Sequence, residues 1–190
     1  RDFVAFVTGA GLNVWVSPFD LQRTLASSQN RRHNRRARLA LLDDMLAHLV
    51  PLCTGADLVL YSPVTSIVMP DVLEHLQIAG IPALLQPFIH PTAAFPPSVL
   101  PRLPFGRRSN RPSYALVDRL VWLSVRRKVN RWRHERLGLP LTTTGPFQRI
   151  RDSAMPALYG ASPAVVPRPD DWPPSIHLTG YWFLSTDPGY

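Results

Sequence analysis

The chain has a single cysteine, Cys53, among its 190 residues. One cysteine excludes an internal disulfide and any metal cluster built from several cysteines, and it is typical of a reducing compartment. No apolar run approaches the ~18 residues that cross a bilayer as a helix, and Arg1-Asp2-Phe3 does not begin a secretion signal. Asp170 and Asp171 lack further carboxylates at metal-ligand spacing. We therefore expect a cytoplasmic protein without a metal site.

Acidic side chains are also scarce, with 13 against 21 lysines and arginines and a formal net charge of +8 at pH 7. Much of the excess lies at 31–38 and 126–136. Neither cluster has the aromatic stacking platform of an RNA-binding sheet or a zinc or helix-turn-helix signature. We interpret both clusters as solvated basic faces and expect no nucleic-acid partner. A nucleic-acid-binding protein would instead be retained on DNA or RNA in a salt-dependent manner. An anionic membrane surface is the functional alternative, as a peripheral contact.

Proline, in contrast, is abundant: the chain has 21, roughly twice the usual share. These residues concentrate at 82–112 and 156–174. Both regions are therefore predicted to be extended, ordered loops and not helices.

The central stretch 57–97 predicts a strand, a helix and a second strand. Asp57–Tyr61 is an apolar run typical of a strand buried on both faces. Helical spacing follows from Thr65 to Ala79, and Gly80 is predicted to occupy the left-handed region at the helix end. Pro82–Gln86 is the second strand, and this order predicts a right-handed crossover between parallel strands.

The rest of the chain continues the alternation. In chain order, the spacing predicts a helix at 2–10, a strand at 12–16, a mobile surface loop at 19–34, helices at 35–52 and 112–137, a polar linker at 141–148, and strands at 157–162 and 176–180. Gly138 and Pro140 end the long helix. Its leucines (Leu116, Leu120 and Leu123) are predicted to be buried, with Trp122 in the core. Such alternation favours an α/β fold with a parallel, doubly wound sheet.

The segment 87–97 leaves the carboxyl end of the second strand, where open α/β sheets bind their ligands. Several motifs in and around it stand out. They are Gly80-Ile81-Pro82-Ala83, Pro91-Thr92-Ala93-Ala94-Phe95-Pro96, Val129-Asn130-Arg131-Trp132-Arg133 with Leu137-Gly138-Leu139-Pro140, Leu158-Tyr159-Gly160-Ala161-Ser162-Pro163, and Asp171-Trp172-Pro173-Pro174 followed by His177-Leu178-Thr179-Gly180-Tyr181-Trp182-Phe183. With these motifs the chain resembles the N-terminal, acceptor-binding half of GT-B glycosyltransferases. The resemblance is to the sterol 3-β-glucosyltransferase group, which is related to the glucosyltransferases that act on vancomycin-type aglycones.

The resemblance implies the N-terminal half of a GT-B fold, a Rossmann-like parallel sheet flanked by helices. Residues 1–190 would form one fragment that lacks the family's first strand and helix, with 164–190 leading to a donor domain. The family's glycine-rich catalytic loop has no counterpart here, so no catalytic residue is assigned and the chain alone is expected to be inactive. The resemblance further implies inverting transfer of a hexose, glucose from UDP-glucose, to a sterol, lipid or other hydrophobic aglycone. No cofactor is expected in this chain, because the family holds the nucleotide sugar in its C-terminal domain.

A flat hydrophobic acceptor needs an apolar wall and a few polar groups that fix its hydroxyl. The predicted acceptor-binding residues are Tyr61, Ser62, Pro63, Phe88, His90, Pro91, Thr92 and Phe95. Among them Phe88 and Phe95, together with Phe105, would form the wall, and Thr92 would contact the hydroxyl. His90 is either a polar contact near the acceptor or a surface histidine, and the whole loop could also simply pack on the sheet. A non-catalytic lipid- or aglycone-binding module is the alternative function.

Overall fold

The computed structural model describes residues 4–17, 31–100, 106–153 and 155–183. The chain divides into two compact units, 1–49 and 50–190. The helices are α1 (Val4–Gly9), α2 (Arg31–Cys53), α3 (Met69–Leu76), α4 (Arg107–Glu135) and α5 (Pro146–Asp152), and a single 3₁₀ turn spans Thr65–Ile67. The strands are β1 (Leu58–Tyr61), β2 (Ala79–Leu84), β3 (Ala157–Tyr159) and β4 (Ile176–Leu178).

The four strands form one sheet in the order β1-β2-β3-β4, and every neighbouring pair is parallel. Leu60 is in register with Ile81, and Leu158 with both Ala83 and His177. Helical segments connect β1 to β2 and β2 to β3, whereas residues 160–175, between β3 and β4, contain no helix. The predicted α/β, Rossmann-like arrangement with a parallel sheet flanked by helices is therefore confirmed.

The two faces of the sheet differ in burial. Leu84, Ala157, Tyr159 and Ile176 point to one face and are completely or almost completely buried. Leu58 and Leu60 point to the other face and are largely exposed. The prediction that this first strand is buried on both faces is wrong, because an apolar run does not reveal that β1 lies at an edge of the described sheet with one face uncovered.

Several element boundaries also differ from the prediction. Residues 12–16 are irregular and do not form the predicted strand. Of the predicted loop 19–34, residues 31–34 are helical because α2 begins at Arg31, and residues 19–30 lie outside the described residues. The predicted helix 65–79 is divided into the 3₁₀ turn and α3. The prediction that 82–112 contains no helix is wrong, because α4 begins at Arg107 and continues through Pro112. The left-handed residue at its end is Gln77, with φ 56°, whereas Gly80 lies inside β2. There a side chain would collide with Leu73, because a Cβ would lie 2.3 Å from Leu73 Cδ1.

The predicted linker 141–148 contains the start of α5. Pro146 occupies the first turn, where its missing N–H costs nothing. The carboxylate of Asp118 accepts hydrogen bonds from the backbone N–H groups of Phe147 and Gln148, at 3.3 and 2.9 Å. This cap comes from a different helix, so the local spacing of residues could not indicate it.

A buried ion network joins α3, α4 and α5. Arg133 donates to Asp71 at 2.6 Å and to both carboxylate oxygens of Glu74 at 2.8 and 2.6 Å. Arg149 donates to Asp71 at 2.6 Å and to Glu74 at 2.8 Å. Hydrogen bonding to Arg133 is the largest cause that lowers the pKa of Glu74. Because each buried charge has partners on another helix, the network fixes how the three helices pack.

Candidate functional site

The segment 87–97 follows β2 and is fastened to the rest of its unit by side chains. Thr92 is fully buried, and its hydroxyl donates to Asp171 Oδ1 at 2.7 Å. The other carboxylate oxygen of Asp171 accepts the backbone N–H of Ala93 at 2.9 Å. The Thr92 hydroxyl oxygen also accepts the N–H of Ala94 at 3.0 Å. Both hydrogen bonds lower the pKa of the Asp171 carboxyl, and the bond from Thr92 has the larger effect.

Helix α4 and helix α5 hold the same segment from its other side. Asn110 Nδ2 donates to the carbonyl of Ala93 at 3.0 Å, and the Tyr114 hydroxyl donates to the carbonyl of Phe95 at 3.2 Å. From α5, Arg151 donates to the carbonyl of Ile89 at 2.9 Å. The backbone of this proline-rich segment is thus fixed by side chains that are distant from it in sequence.

His90 is buried within this arrangement. Its Nδ1 is hydrogen-bonded to the hydroxyl of Tyr159, 2.8 Å away. Burial, and after it the positive charge of Arg151, lowers the pKa of His90 to about 4. Burial raises the pKa of the Tyr159 hydroxyl. Both side chains are therefore uncharged near neutral pH, and the histidine is a buried polar contact and not a surface residue.

An aromatic cluster surrounds these polar groups. The Trp172 ring stacks on Tyr159 with centroids 5.2 Å apart and meets the edge of Phe95 at 6.0 Å. Phe88 packs edge to face on Phe147 at 5.3 Å. Among the residues that the structure describes, Trp172 Nε1 is the one buried side-chain nitrogen or oxygen without a hydrogen-bond partner. The cluster thus consists of packed rings around one buried donor, and of its members Phe95 is only partly covered.

The structure brings His90, Thr92 and Phe95 together with Tyr159, Asp171 and Trp172. Phe88 lies in the same segment but contacts α5, Pro91 is partly buried between His90 and Thr92, and Phe105 is outside the described residues. Because the Thr92 hydroxyl is already held by Asp171, its contact with an acceptor hydroxyl stays a prediction that requires this bond to open.

The residues predicted at the end of β1 have other neighbours. Ser62 accepts the hydroxyls of Thr65 and Ser66 with its carbonyl, at 3.1 and 3.0 Å, and Pro63 follows in the same turn. Tyr61 is buried and lines a cavity of about 370 Å³ together with Glu74 and other residues of α3, β2 and α5. No residue of 87–97 lines that cavity.

Sequence reasoning missed Asp171, Trp172 and Tyr159 as members of the site. Asp171 and Trp172 belong to a motif that had been noticed, but the aspartate was considered only as a metal ligand. Their contacts with 87–97 span more than 60 residues of chain, so that no short-range pattern could indicate them.

Two further properties bear on function. In the described ranges, no group of three or more histidine, cysteine, aspartate or glutamate side chains is placed to hold a metal ion. None of the helices in the same ranges is both long and apolar enough to cross a membrane.

In a comparison with known proteins, the chain is similar to sterol 3-beta-glucosyltransferases. No protein-family model matches the chain. A sterol 3-beta-glucosyltransferase from Cryptococcus neoformans is 38% identical over 144 residues, which are 75% of this chain and 9% of the relative. Sterol 3-beta-glucosyltransferases from Neurospora crassa and Gibberella zeae are 35% and 34% identical, over 75% and 78% of this chain. The chain spans only about a tenth of the length of these curated relatives.

Proposed function

We propose that this chain, a homologue of one segment of the sterol 3-beta-glucosyltransferases, is the acceptor-binding part of a glycosyltransferase. The enzyme would transfer a hexose to the hydroxyl of a sterol or a similar hydrophobic acceptor. The observation that carries the proposal is 38% identity over 144 residues with a protein named for this activity. The Rossmann-like sheet and the aromatic cluster beside its carboxyl edge are compatible with such a site.

The acceptor would bind against the segment 87–97. The partly exposed ring of Phe95, which packs against the buried Trp172, would give the apolar contact surface. We give His90 the role of a polar contact and not that of the base, because a general base works best with a pKa near the operating pH and the pKa of His90 is about 4. Within the described residues we assign no catalytic base and no metal.

The finer features of the reaction follow from the family resemblance. The donor would be UDP-glucose, bound by a part of the enzyme outside this chain, and transfer would invert the anomeric carbon. We place the enzyme in the cytoplasm, in peripheral contact with a membrane in which its acceptor is dissolved.

Sugar transfer by the natural protein that carries this chain tests the proposal. Incubation with UDP-glucose and a panel of sterols should yield sterol glucosides, detected by mass spectrometry. Phe95→Ala should raise the acceptor KM about tenfold and leave the KM for UDP-glucose unchanged. Val165→Ala removes an exposed side chain elsewhere and serves as the control.

Two results would contradict the proposal. One is a Phe95→Ala variant that changes neither acceptor KM nor kcat, and the other is the absence of transfer to every acceptor of the panel. If acceptors still bind without being glycosylated, a non-catalytic binding module explains the chain better.

A further inference from the structure

The outer face of α4 exposes three leucines on one stripe. Leu116, Leu120 and Leu123 are 53%, 56% and 46% exposed. Their spacing of four and three residues places them one above another on a helix surface. Tyr114, and the other buried side chains of the helix, lie on the opposite stripe. The sequence predicted these leucines to be buried; their exposure makes a contiguous apolar patch, which in soluble proteins marks an interaction surface.

Exposed arginines flank this leucine stripe. Arg119, Arg126, Arg127 and Arg131 are exposed on the same side of the helix. Between Arg111 and His134 the chain has one acidic residue, Asp118, and that side chain is buried and bonded to Arg151 and to the first turn of α5. The face therefore combines apolar side chains with a positive charge that is offset only in part, by Glu135 at the end of the helix, four residues after Arg131.

A groove of about 730 Å³ runs beside this face, between α4 and the loop 142–145. Arg119, Arg126 and Arg127 line it, and the loop contributes the residues Thr142, Thr143 and Thr144. The carboxylate of Asp118 also lines the groove, and it is paired with Arg151. Guanidinium and hydroxyl groups bind phosphate oxygens well. The groove thus offers an anion-binding surface next to the leucines.

We propose that the outer face of α4 docks onto the surface of an anionic lipid bilayer. The three leucines would enter the interface between headgroups and acyl chains, and the arginines would contact lipid phosphates, one of which would sit in the groove. An apolar stripe flanked by cationic side chains is the pattern of helices that lie in this interface, and anionic lipids attract such arginines. This inference rests on the proposed peripheral membrane contact but not on sugar transfer, so the two can fail separately.

A reporter placed on the face tests the docking locally, whatever else the natural protein contains. We expect an environment-sensitive fluorophore attached at Leu120→Cys to shift to shorter wavelength when vesicles of phosphatidylcholine and phosphatidylserine are added. Phosphatidylcholine vesicles and inorganic phosphate should cause no comparable shift. The same fluorophore at Val165→Cys, an equally exposed apolar position away from this face, is the control and should not respond.

Charge and apolar variants complete the test. The triple variant Arg119→Gln/Arg126→Gln/Arg127→Gln should raise the vesicle concentration needed for half of the Leu120→Cys shift about tenfold or more. The double variant Leu116→Ser/Leu123→Ser should have a similar effect. The double variant Arg36→Gln/Arg38→Gln, which removes exposed arginines of α2, should leave it unchanged. Since all these side chains are exposed, circular dichroism should show an unaltered fold.

Two outcomes would overturn the proposal. One is an unchanged fluorophore spectrum with anionic vesicles. The other is a shift that depends on protein concentration without vesicles, which would assign the face to contact between copies of the protein.

Discussion

At the scale of single residues, the Asp171 carboxylate fastens the candidate acceptor segment. It accepts the Thr92 hydroxyl and the Ala93 N–H, and these bonds lower its pKa. Because its folded pKa lies below the ordinary value, the bonds stabilise the protein above that value and are lost as the pH falls through the folded pKa. We predict that Asp171→Asn increases amide hydrogen exchange at Ala93 and Ala94 at neutral pH. Asp170→Asn, the neighbouring exposed carboxylate, is the control, and equal exchange in both variants would contradict the assignment.

His90 gives the protein a second pH dependence, which arises from burial of the imidazole and not from hydrogen bonds to a charged group. Its pKa is lowered from 6.5 to about 4 when the chain folds, so the unfolded chain binds more protons between these values. Stability should therefore fall as the pH is lowered through this range, by at most about 3 kcal/mol. Thermal unfolding of the protein and of His90→Asn between pH 7 and 4 measures the difference. The exposed His177→Asn should keep the original dependence, and an unchanged slope in His90→Asn would refute the prediction.

Gln77 ends α3 in the left-handed region, with φ 56°. A side chain is strained there, whereas glycine adopts this conformation freely. We predict that Gln77→Gly stabilises the protein by about 1 kcal/mol in denaturant unfolding. Gln86→Gly provides the comparison at an exposed position without a positive φ, where glycine should be neutral or destabilising. Equal effects at both positions would exclude the conformational explanation.

Among the secondary structure elements, Arg133 links α4 to α3. Its guanidinium reaches Asp71 and Glu74 on α3 from α4, and it is almost completely buried. We expect Arg133→Leu to lower the free energy of unfolding by about 3 kcal/mol, moderated because Arg149 still pairs with Asp71. Arg136→Leu, three residues later and exposed, should cost far less in urea denaturation. Comparable losses would mean that the network contributes nothing specific.

Local sequence patterns predicted some of the helix and strand boundaries and missed others. The strand–helix–strand order around α3, and the end of α4 before Gly138 with φ 66°, follow from local spacing and were predicted. The start of α5 was not, because its cap is Asp118 from another helix. The burial of Leu116 was wrong, since helical periodicity identifies an apolar stripe but does not reveal whether anything covers it.

At the scale of the whole molecule, the candidate site joins parts that are far apart in sequence. Residues of 87–97 meet Tyr159 and Asp171 only because β2 and β3 are parallel neighbours whose carboxyl ends lie at the same edge. Motifs identified the relevant segments and the family resemblance, and the relatives support it. The contacts between these segments, including the hydrogen bond from Thr92 to Asp171, could be identified only from the three-dimensional structure.

If a sterol-like acceptor lies against the segment 87–97, a photoreactive sterol should crosslink to that segment. A sterol carrying a diazirine would be irradiated with the natural protein that contains this chain, and labelled peptides would be located by mass spectrometry. We expect labels at 87–97 and around Trp172, which unlabelled sterol should compete and Phe95→Ala should reduce. Competed labelling that lies entirely outside these two regions would contradict this expectation.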